Sequence, residues 1–498
     1  MKPEQFPEDL RPHLTPRPEG EMVYDCLACG AKHPSDQLLY TCPGCGGLLL
    51  LRDLQFDRLR RRPGDFWRRL FDHRLMLNER ATSGVFAFHE FLAPSIPVED
   101  IVYLGEGRTP VVPAPPELAR EVGAAFCFKL DGQNPSASFK DRGMAVALSF
   151  LKHLARVKSL GTVMAVCAST GDTSAAAALY AASLGGAVKS AVLLPKGRVT
   201  PQQLSQPLGA GATVFELPGV FDDCMKVVEL LSEKYQVALL NSKNPWRVLG
   251  QESYAYEVAQ QFDWELGDLA LIVPVGNAGN VTAILSGLLK LVAAGAVDRL
   301  PKIVAVQSER ANPVYRYYRQ PLGARSYAPV IVRPSVAQAA MIGDPVSFPR
   351  LALLAAEYEK TAGGPSFFVV EASEQAIMDC MLLANRRGLT ICTQGGECLA
   401  GLKAALAQDL ITPSETAVLD STAHALKFVD FQNAYFDGRL KDEYGVSTRP
   451  ELANRPRELS LRGAPEPSGT MSKADRELFV KTAAAEIAAA LDLTPKSA

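Results

Sequence analysis

The sequence predicts an α/β fold built on open, mostly parallel β-sheets and preceded by a small zinc-ribbon-like module. Three observations lead to this prediction. Apolar strand-like runs alternate with helical segments, glycine-rich or hydroxyl-rich loops follow several of those runs, and two Cys-x-x-Cys pairs lie near the start. Chains that alternate strands and helices in this way form parallel sheets with helices on both faces.

The 498 residues are 47% hydrophobic and 21% charged, with a formal net charge of −2. This composition is typical of a globular protein of several domains. Because the small net charge supplies no field for nucleic acid, we expect no nucleic-acid partner. No run reaches the roughly 18 apolar residues that cross a bilayer, so we expect no membrane association. The first residues lack the apolar core of a secretory signal, and we expect a cytoplasmic, reducing location.

The N-terminal module contains two cysteine pairs at metal-ligand spacing. Cys26 and Cys29 form one pair, Cys42 and Cys45 form the other, and a glycine follows each pair. Four thiolates at this spacing can hold zinc tetrahedrally, and because they fill its coordination sphere the zinc would be structural. Four free thiols or two disulfides are the alternatives, and a reducing compartment disfavours disulfides.

We predict three domains: a module at 1–55, a body at 56–440 with a smaller subdomain at about 145–250, and a linker with a C-terminal helix at 441–498. The charged stretch from Asp53 to Arg69 is interpreted as a linker or a solvated helix. The helix at 473–491 has an apolar face that we expect to dock on the body or on a second subunit. The predicted strands are 126–130, 163–166, 190–194, 213–217, 237–240, 269–273 and 302–306.

One lysine lies where a carbonyl-binding lysine would be expected. Lys140 stands between the strand-like run 126–130 and an apolar helical run that starts at Met144. At a helix N-terminus the unpaired amides disfavour the ammonium form and help to keep the amine nucleophilic. An ordinary surface lysine that opens a helix is the alternative.

Two loops between a strand and a helix are suited to anions. The glycines of the loop from Gly276 to Asn280 let the backbone approach a phosphate at a helix N-terminus. This loop has neither a P-loop lysine nor dinucleotide spacing, which favours a ligand with a single phosphate. The loop from Ala168 to Ser174 offers hydroxyls and amides suited to a carboxylate. A tight turn is the alternative for the first loop, and a plain helix cap is compatible with the second.

Together, the Ser-Phe-Lys-Asp-Arg segment around Lys140 and these two loops resemble the pyridoxal-phosphate enzymes of the tryptophan-synthase β type. Within that group the chain is similar to the threonine synthases of the long, plant-like form, on segments that include Leu104 to Pro110, Ile342 to Ser347 and Ser421 to Phe428. The resemblance covers residues 20–435. It implies two open, mostly parallel sheets, pyridoxal phosphate as cofactor, a small-molecule substrate and a homodimer.

The implied reaction converts O-phospho-L-homoserine and water into L-threonine and phosphate by γ-elimination and β-hydration. Lys140 would be the catalytic residue, Thr422 would face the pyridine nitrogen, and Asp172 would lie where many relatives place an Asn near the ring oxygen. The resemblance implies that the cofactor-binding residues are Lys140, Asp172, Gly276, Asn277, Ala278, Gly279, Asn280 and Thr422. It assigns the substrate carboxylate to Ser169, Thr170 and Thr173, and the substrate phosphate to Asn241, Ser242 and Arg247.

Several alternatives stay open. The residues 241–247 also fit a strand end followed by a capped helix. A cysteate synthase, which uses phosphoserine and sulfite, would need the same phosphate pocket. Arg247 argues against a serine or threonine dehydratase, and the intact Lys140 argues against a zinc-ribbon binding protein that has lost catalysis. His424 is interpreted as a helix-start residue with a structural hydrogen bond, and Gln394 to Gly396 as a loop near a site. Ala137 stands where relatives have glycine, which could shift the lysine loop.

Overall fold

The computed structural model of the protein describes residues 2–77, 79–169, 171–196, 201–219, 221–466 and 469–495, without the side chains of residues 80, 201–203, 221 and 222. Thr170, which the resemblance assigns to the substrate carboxylate, lies outside the described residues. The chain forms two compact units, Met1–Thr448 and Arg449–Ala498. Lys140 and both anion loops belong to the first unit.

The strands of the first unit alternate with helices through most of its length. The described strands are β1 (Met22–Cys26), β2 (Lys32–Pro34), β3 (Leu49–Asp53), β4 (Val111–Pro113), β5 (Phe126–Leu130), β6 (Val163–Ala168), β7 (Val188–Pro195), β8 (Thr213–Leu217), β9 (Val237–Leu239), β10 (Leu269–Pro274), β11 (Lys302–Ser308), β12 (Phe367–Ala372) and β13 (Thr416–Ser421).

The described α-helices are α1 (Asp57–Arg60), α2 (Gly64–Arg74), α3 (His89–Leu92), α4 (Pro116–Val122), α5 (Lys140–Val157), α6 (Asp172–Ala182), α7 (Pro201–Gly209), α8 (Phe221–Lys234), α9 (Pro245–Gln251), α10 (Ser253–Gln261), α11 (Gly279–Ala293), α12 (Pro313–Tyr318), α13 (Phe348–Ala362), α14 (Glu374–Arg386), α15 (Thr393–Ala407), α16 (Val429–Phe436), α17 (Lys441–Tyr444) and α18 (Lys473–Ala490).

The larger sheet has the strand order β12-β11-β10-β13-β5-β4. All neighbouring strands are parallel except β4, which pairs antiparallel with β5. The six residues of β10 are all buried, as expected for a parallel strand covered on both faces. This burial explains why the sequence of β10 is an unbroken apolar run. The carboxyl ends of β10 and β13 lie side by side at one edge of the sheet.

The smaller sheet has the order β8-β7-β6-β9, and all its strands are parallel. Two open, mostly parallel sheets confirm the predicted fold class. The strand bounds agree with the sequence within about two residues for every predicted strand, and β5 and β8 match at both ends. Of the strands in these two sheets, β4, β12 and β13 were not among the predicted ones.

The N-terminal module is a three-stranded antiparallel sheet with the order β2-β1-β3. Cys26 is the last residue of β1 and pairs with Leu49 of β3. Cys29 follows in the turn between β1 and β2, and Cys42 and Cys45 precede β3. The strands therefore bring the two cysteine pairs to the same end of the module.

The stretch from Asp53 to Arg69 is neither a linker nor a solvated helix, and this expectation was wrong. It contains α1 and most of α2, and α2 buries one face. The residues Phe66, Trp67, Leu70 and Phe71 are buried. Leu70 lies four residues after Phe66, and Phe71 lies four residues after Trp67, which places all of them on one side of the helix. The many charged residues of the stretch occupy the other positions.

The second unit contains the helix α18. Its N-cap is Ser472, whose hydroxyl accepts a hydrogen bond of 3.1 Å from the amide of Asp475. The helix buries none of its residues, so the apolar face that the sequence predicts is not covered within this unit. Among the described residues, none of the helices combines the length and the apolar composition that a membrane span requires.

Candidate active site

A cleft opens at the carboxyl ends of β10 and β13 and reaches the N-termini of α5 and α11. Its volume, including the space open to solvent, is about 680 Å³. Ligands of parallel sheets bind at the carboxyl ends of the strands. The residues that line the cleft are Phe139, Lys140, Asp172, Ser242, Arg247, Val248, Gln251, Pro274, Gly276, Asn277, Ala278, Gly279, Asn280, Val281, Ala339, Ala340, Gln394 and Thr422.

Lys140 is the first residue of α5, and its side chain forms part of the cleft wall. Burial lowers the pKa of its amine to about 7, the guanidinium of Arg247 lowers it in the same direction, and the carboxylate of Asp172 opposes both. A lowered pKa leaves more of the amine unprotonated at neutral pH, and the unprotonated form attacks carbonyl carbons. Lys140 therefore has both the position and the proton affinity of a covalent catalyst.

The loop from Gly276 to Asn280 forms a cradle at the start of α11. Ala278 has a left-handed backbone, with φ at 61°, immediately before the helix begins at Gly279. The first amides of a helix have no carbonyl partners within it, so they are available to an anion. A Cβ atom at Gly276 would lie 3.0 Å from Cα of Ala340, which explains the glycine at this narrow point. The cradle suits one phosphate group.

Asp172 and Thr422 reach the cleft from two different elements. Asp172 is the first residue of α6, and its Oδ1 atom accepts a hydrogen bond of 2.9 Å from Nζ of Lys427. Thr422 directly follows β13, and its backbone oxygen accepts a hydrogen bond of 2.8 Å from the amide of Phe139. That bond fixes the position of Thr422 next to the segment that carries Lys140.

Arg247 lies on α9 and is almost completely buried. Its Nη1 atom donates to the backbone oxygen of Leu240 at 2.8 Å, whereas its Nε atom has no hydrogen-bond partner among the described residues. Burial lowers the pKa of the guanidinium to about 10. The group remains a cation at neutral pH and leaves donors unused beside the cleft, where Ser242 is also part of the wall. An anion bound here would pair with this charge.

Comparison with known proteins identifies the family. A family model described as pyridoxal-phosphate dependent enzyme matches residues 102–420. The threonine synthase of Methanocaldococcus jannaschii is 35% identical to this chain over 414 residues, which are 82% of this chain and 94% of that protein. The chloroplastic threonine synthase 2 of Arabidopsis thaliana is 35% identical over 415 residues, or 82% of this chain and 77% of that protein. This chain belongs to the threonine synthase family of pyridoxal-phosphate dependent enzymes.

Solved structures show the same fold at lower identity. The crystal structure of threonine synthase from Escherichia coli has a TM-score of 0.60 and 20% sequence identity, and covers 86% of this chain and 93% of that chain. The structure of threonine synthase from yeast also has a TM-score of 0.60, at 18% identity. These structures show the fold, and the family that the motifs indicated is confirmed by the relatives and the family model.

Some of the site residues expected for a threonine synthase family member lie outside the cleft lining. The side-chain amide of Asn241 forms two hydrogen bonds with the backbone of Ala168, of 2.6 and 3.0 Å, and so fixes the end of β6. The hydroxyl of Ser169 accepts a bond of 3.2 Å from the amide of Gly171. Thr173 is half-buried on the first turn of α6. These residues surround the start of α6, from which Asp172 reaches the cleft.

Other residues of this family member were placed by the structure alone. Gln251 lines the cleft from α9, and nothing in its sequence context indicated this. Asp420 is buried at the end of β13 and accepts a bond of 2.8 Å from the side-chain amide of Asn280. Burial raises the pKa of the Asp420 carboxyl group well above its usual range. This bond connects the glycine cradle to β13 of the larger sheet.

Two minor expectations can be compared with the structure. Gln394 lines the cleft as expected, but Gln394 to Gly396 form the first turn of α15, so their interpretation as a loop was wrong. The Nδ1 atom of His424 accepts a hydrogen bond of 3.2 Å from the amide of Leu426, so His424 caps the short 3₁₀ turn Ala425–Phe428. His424 is not among the residues that line the cleft, and its structural interpretation is confirmed.

The four cysteines of the module form a compact cluster. The sulfur atoms of Cys26, Cys29, Cys42 and Cys45 all lie within 4.8 Å of one another. The Cys26 and Cys45 sulfurs are 3.5 Å apart, and those of Cys29 and Cys42 are 3.8 Å apart. None of the four forms a disulfide. Their mutual spacing is that of ligands around one ion.

Proposed function

We propose that this enzyme is a threonine synthase, which converts O-phospho-L-homoserine and water into L-threonine and phosphate. The observation that carries the proposal is the buried guanidinium of Arg247 in the same cleft as Lys140, with an Nε atom that has no hydrogen-bond partner in the described part of the chain. The glycine cradle is a separate site for the phosphate of the cofactor. A second cationic site beside the catalytic lysine suits a substrate that is itself a phosphate ester. The names of the relatives support the same reaction.

The residues of the cleft fit pyridoxal phosphate. Lys140 would bond to the aldehyde carbon, the backbone amides from Gly276 to Asn280 would bind the phosphate, and Thr422 would face the pyridine nitrogen. Asp172 would lie at the edge that carries the ring oxygen. When bound, the cofactor supplies an electron sink for negative charge that develops on the substrate carbons. A hydroxyl at the nitrogen moderates that sink, because it does not hold a proton there as a carboxylate would.

Lys140 would carry the proton transfers. Its amine, once released from the cofactor, would remove one proton from Cα and one from Cβ. Arg247 and Ser242 would hold the phosphate that leaves Cγ and stabilise the charge on the departing oxygen. Cγ would then gain a proton and become the methyl group, and water would add a hydroxyl at Cβ while a proton returns to Cα.

The remaining assignments belong to the same proposal. Ser169, Thr170 and Thr173 would bind the substrate carboxylate. The places of Ser169 and Thr173 around the start of α6, next to Asp172, support this assignment. The side-chain amide of Asn241 is already bonded to the backbone of Ala168. Asn241 would therefore act at the substrate phosphate indirectly, by fixing the segment in which Ser242 follows it.

The decisive experiment compares three substrates. With phosphohomoserine the enzyme should release phosphate and threonine in equal amounts. Phosphoserine with sulfite should give no cysteate, and serine or threonine should give no oxo acid. Cysteate formation at a comparable rate would make the enzyme a cysteate synthase, for which the same phosphate pocket would serve. Oxo acid formation without phosphate release would make it a dehydratase.

We also propose that the cysteine cluster binds one structural zinc ion. Zinc–sulfur bonds of about 2.3 Å in a tetrahedron place the sulfurs about 3.8 Å apart, and the distances of 3.5 and 3.8 Å in the cluster fit this value. Nε2 of His33 lies 3.3 Å from the Cys42 sulfur and could support that ligand from outside the coordination sphere. With four cysteine ligands the ion would stabilise the module and leave no position for a substrate.

Two further parts of the proposal concern the setting of the enzyme. Ten free cysteines are consistent with the reducing, cytoplasmic location that the sequence predicts. The homodimer is proposed from the resemblance to the family. Analytical ultracentrifugation of the purified protein measures it directly, and a monomeric mass at working concentration would contradict it.

A further inference from the structure

Asp172 and Lys427 form an ion pair that joins the two sheets at the cleft. Asp172 begins α6, which follows the smaller sheet's strand β6, and Lys427 lies in the turn Ala425–Phe428, which follows β13 of the larger sheet. Their Nζ and Oδ1 atoms are 2.9 Å apart, and only 17% of the lysine side chain and 7% of the aspartate side chain are exposed. A mostly buried pair of this length is poorly screened by solvent.

The pair lies among other charged groups whose interactions connect it to Lys140. The carboxylate of Asp172 raises the pKa of the Lys140 amine, and the guanidinium of Arg247 lowers it. Lys427 in turn lowers the pKa of the neighbouring carboxyl of Asp141, which burial raises to about 7. Among the described residues, the titratable or charged groups that interact with Lys140 or the pair are Arg247 from α9, Asp141 from α5, Cys167 from β6, Cys392 at the N-cap of α15 and Asp420 from β13.

We propose that Lys427 is a positioning residue, which holds the Asp172 carboxylate toward the cleft and offsets its charge, so that the nitrogen of Lys140 faces a nearly neutral pair. Without Lys427, the carboxylate of Asp172 would favour the protonated form of the Lys140 nitrogen. Without Asp172, the ammonium of Lys427 would favour the unprotonated form. A neutral Asn would need no such partner. Lys427 is therefore needed because position 172 holds an aspartate and not an asparagine.

The test measures the protonation of the Lys140 nitrogen in the cofactor-loaded enzyme without substrate, from the absorbance of the bound cofactor as a function of pH. Asp172→Asn, Lys427→Met and the double variant are compared with the native enzyme. The proposal rests on Lys140 holding the cofactor and not on which substrate is used, so failure of the threonine synthase assay leaves this measurement interpretable.

The transition is the pH at which half of the absorbance change of the bound cofactor has occurred. The two single variants should shift it in opposite directions, by about one pH unit or more. Lys427→Met leaves the carboxylate and should raise the transition pH, whereas Asp172→Asn leaves the ammonium and should lower it. The double variant should return to within about 0.3 units of the native value. A lysine that merely supports the fold would give shifts of the same sign or none, and the double variant would not recover.

A matched control is the pair of Lys302 and Glu415, which has the same length of 2.9 Å but lies at the opposite ends of the strands. Lys302→Met should leave the transition unchanged. If Lys427→Met does not fold, Lys427→Arg should keep the native transition while Asp172→Asn still lowers it. For any variant that loses the cofactor, pyridoxal phosphate is added and reduced onto Lys140 with borohydride. The yield of this reaction is then measured as a function of pH. An unshifted transition in Asp172→Asn overturns the proposal.

Discussion

Gly143 of α5 and Gly250 of α9 face each other where the two helices cross. A Cβ atom at Gly250 would lie 2.9 Å from Cα of Gly143 and 2.3 Å from the backbone oxygen of Arg142. A Cβ atom at Gly143 would lie 2.7 Å from the backbone oxygen of Arg247. The helices can touch through their backbones only because both positions lack side chains. This contact is what brings Lys140, one turn before Gly143, into the same cleft as Arg247.

Gly250→Ala should therefore damage stability and activity together. The added methyl group overlaps the backbone of α5, which cannot move aside as a flexible side chain would. We expect a loss of about 2–3 kcal/mol in the free energy of unfolding, measured by urea denaturation, and a lower kcat in the folded fraction. Gly364→Ala is the control, because a Cβ atom there meets nothing within 4 Å. Equal stability of the two variants would show that the crossing tolerates a side chain.

Lys140→Ala should abolish turnover and remove the absorbance band of the covalently bound cofactor. No other lysine is among the residues that line the cleft, so the bond to the cofactor has no substitute within the described residues. Borohydride reduction followed by peptide mapping measures the attachment directly. The same mapping in the native enzyme should find the cofactor on Lys140. A band that survives the substitution would assign the chemistry to a different lysine.

The sequence predicts strands best where burial is complete. The apolar run of β10 was found from the sequence because both of its faces are covered, and an unbroken run needs no further interpretation. The edge strand β12 has half-buried positions among buried ones, and its apolar run of four residues ends at Glu371. In β13 the apolar run is shorter still, because Asp420 and Ser421 are buried at its end. An acidic residue therefore interrupts the apolar pattern of both strands, and neither shows the unbroken run that marks β10.

The candidate site also contains features that the sequence predicts and features that only the structure identifies. Lys140 and the loop from Gly276 to Asn280 are local features, since each lies where a strand or loop meets a helix and can be found from neighbouring residues. The pairing of Asp172 with Lys427 joins residues 255 positions apart and depends on the packing of two sheets. No local pattern encodes such a contact. Relationships between elements, and not the motifs themselves, were what the structure added.

Ala137 should be a position where glycine improves stability. Its φ of 64° lies in the left-handed region, which costs a residue with a Cβ atom roughly 1–2 kcal/mol. Glycine removes this strain but makes the unfolded chain more flexible, so the net gain of Ala137→Gly should be about 0.5 kcal/mol. Thermal unfolding measures it. Ala145→Gly, within α5, is the contrasting control and should lose about 1 kcal/mol. A lower stability of Ala137→Gly would show that the left-handed backbone at Ala137 is not strained.

The double variant Cys26→Ser, Cys45→Ser should lose zinc and unfold more readily while its folded fraction stays active. The reason is that four thiolates would close the coordination sphere, and metal binding then contributes to folding and not to catalysis. Metal analysis of the purified protein should give one zinc per chain in the native enzyme and none in the variant. The control Cys224→Ser changes a buried cysteine outside the cluster. A variant with native melting temperature and no activity would argue against a structural role.

Arg247→Lys should lower kcat/KM for phosphohomoserine by about two orders of magnitude, or roughly 3 kcal/mol. Nη1 of Arg247 is held by Leu240, which leaves Nε and the other terminal nitrogen to grip a phosphate through two parallel bonds. Lysine keeps the charge but cannot copy that geometry. The cofactor should still bind with its normal absorbance, because the site that we propose for its phosphate is the separate cradle at Gly276 to Asn280.

The matched control for this substitution is Arg74→Lys. Arg74 is equally buried but pairs with Glu90, away from the residues that line the cleft. This variant should lose stability and keep its kcat/KM. Steady-state kinetics and absorbance spectra of both variants separate the outcomes. A near-normal kcat/KM in Arg247→Lys would remove this residue from the substrate site, whereas a lost cofactor band would assign it to the phosphate of the cofactor. Only a kinetic loss with an intact band fits an arginine that holds the phosphate leaving the substrate.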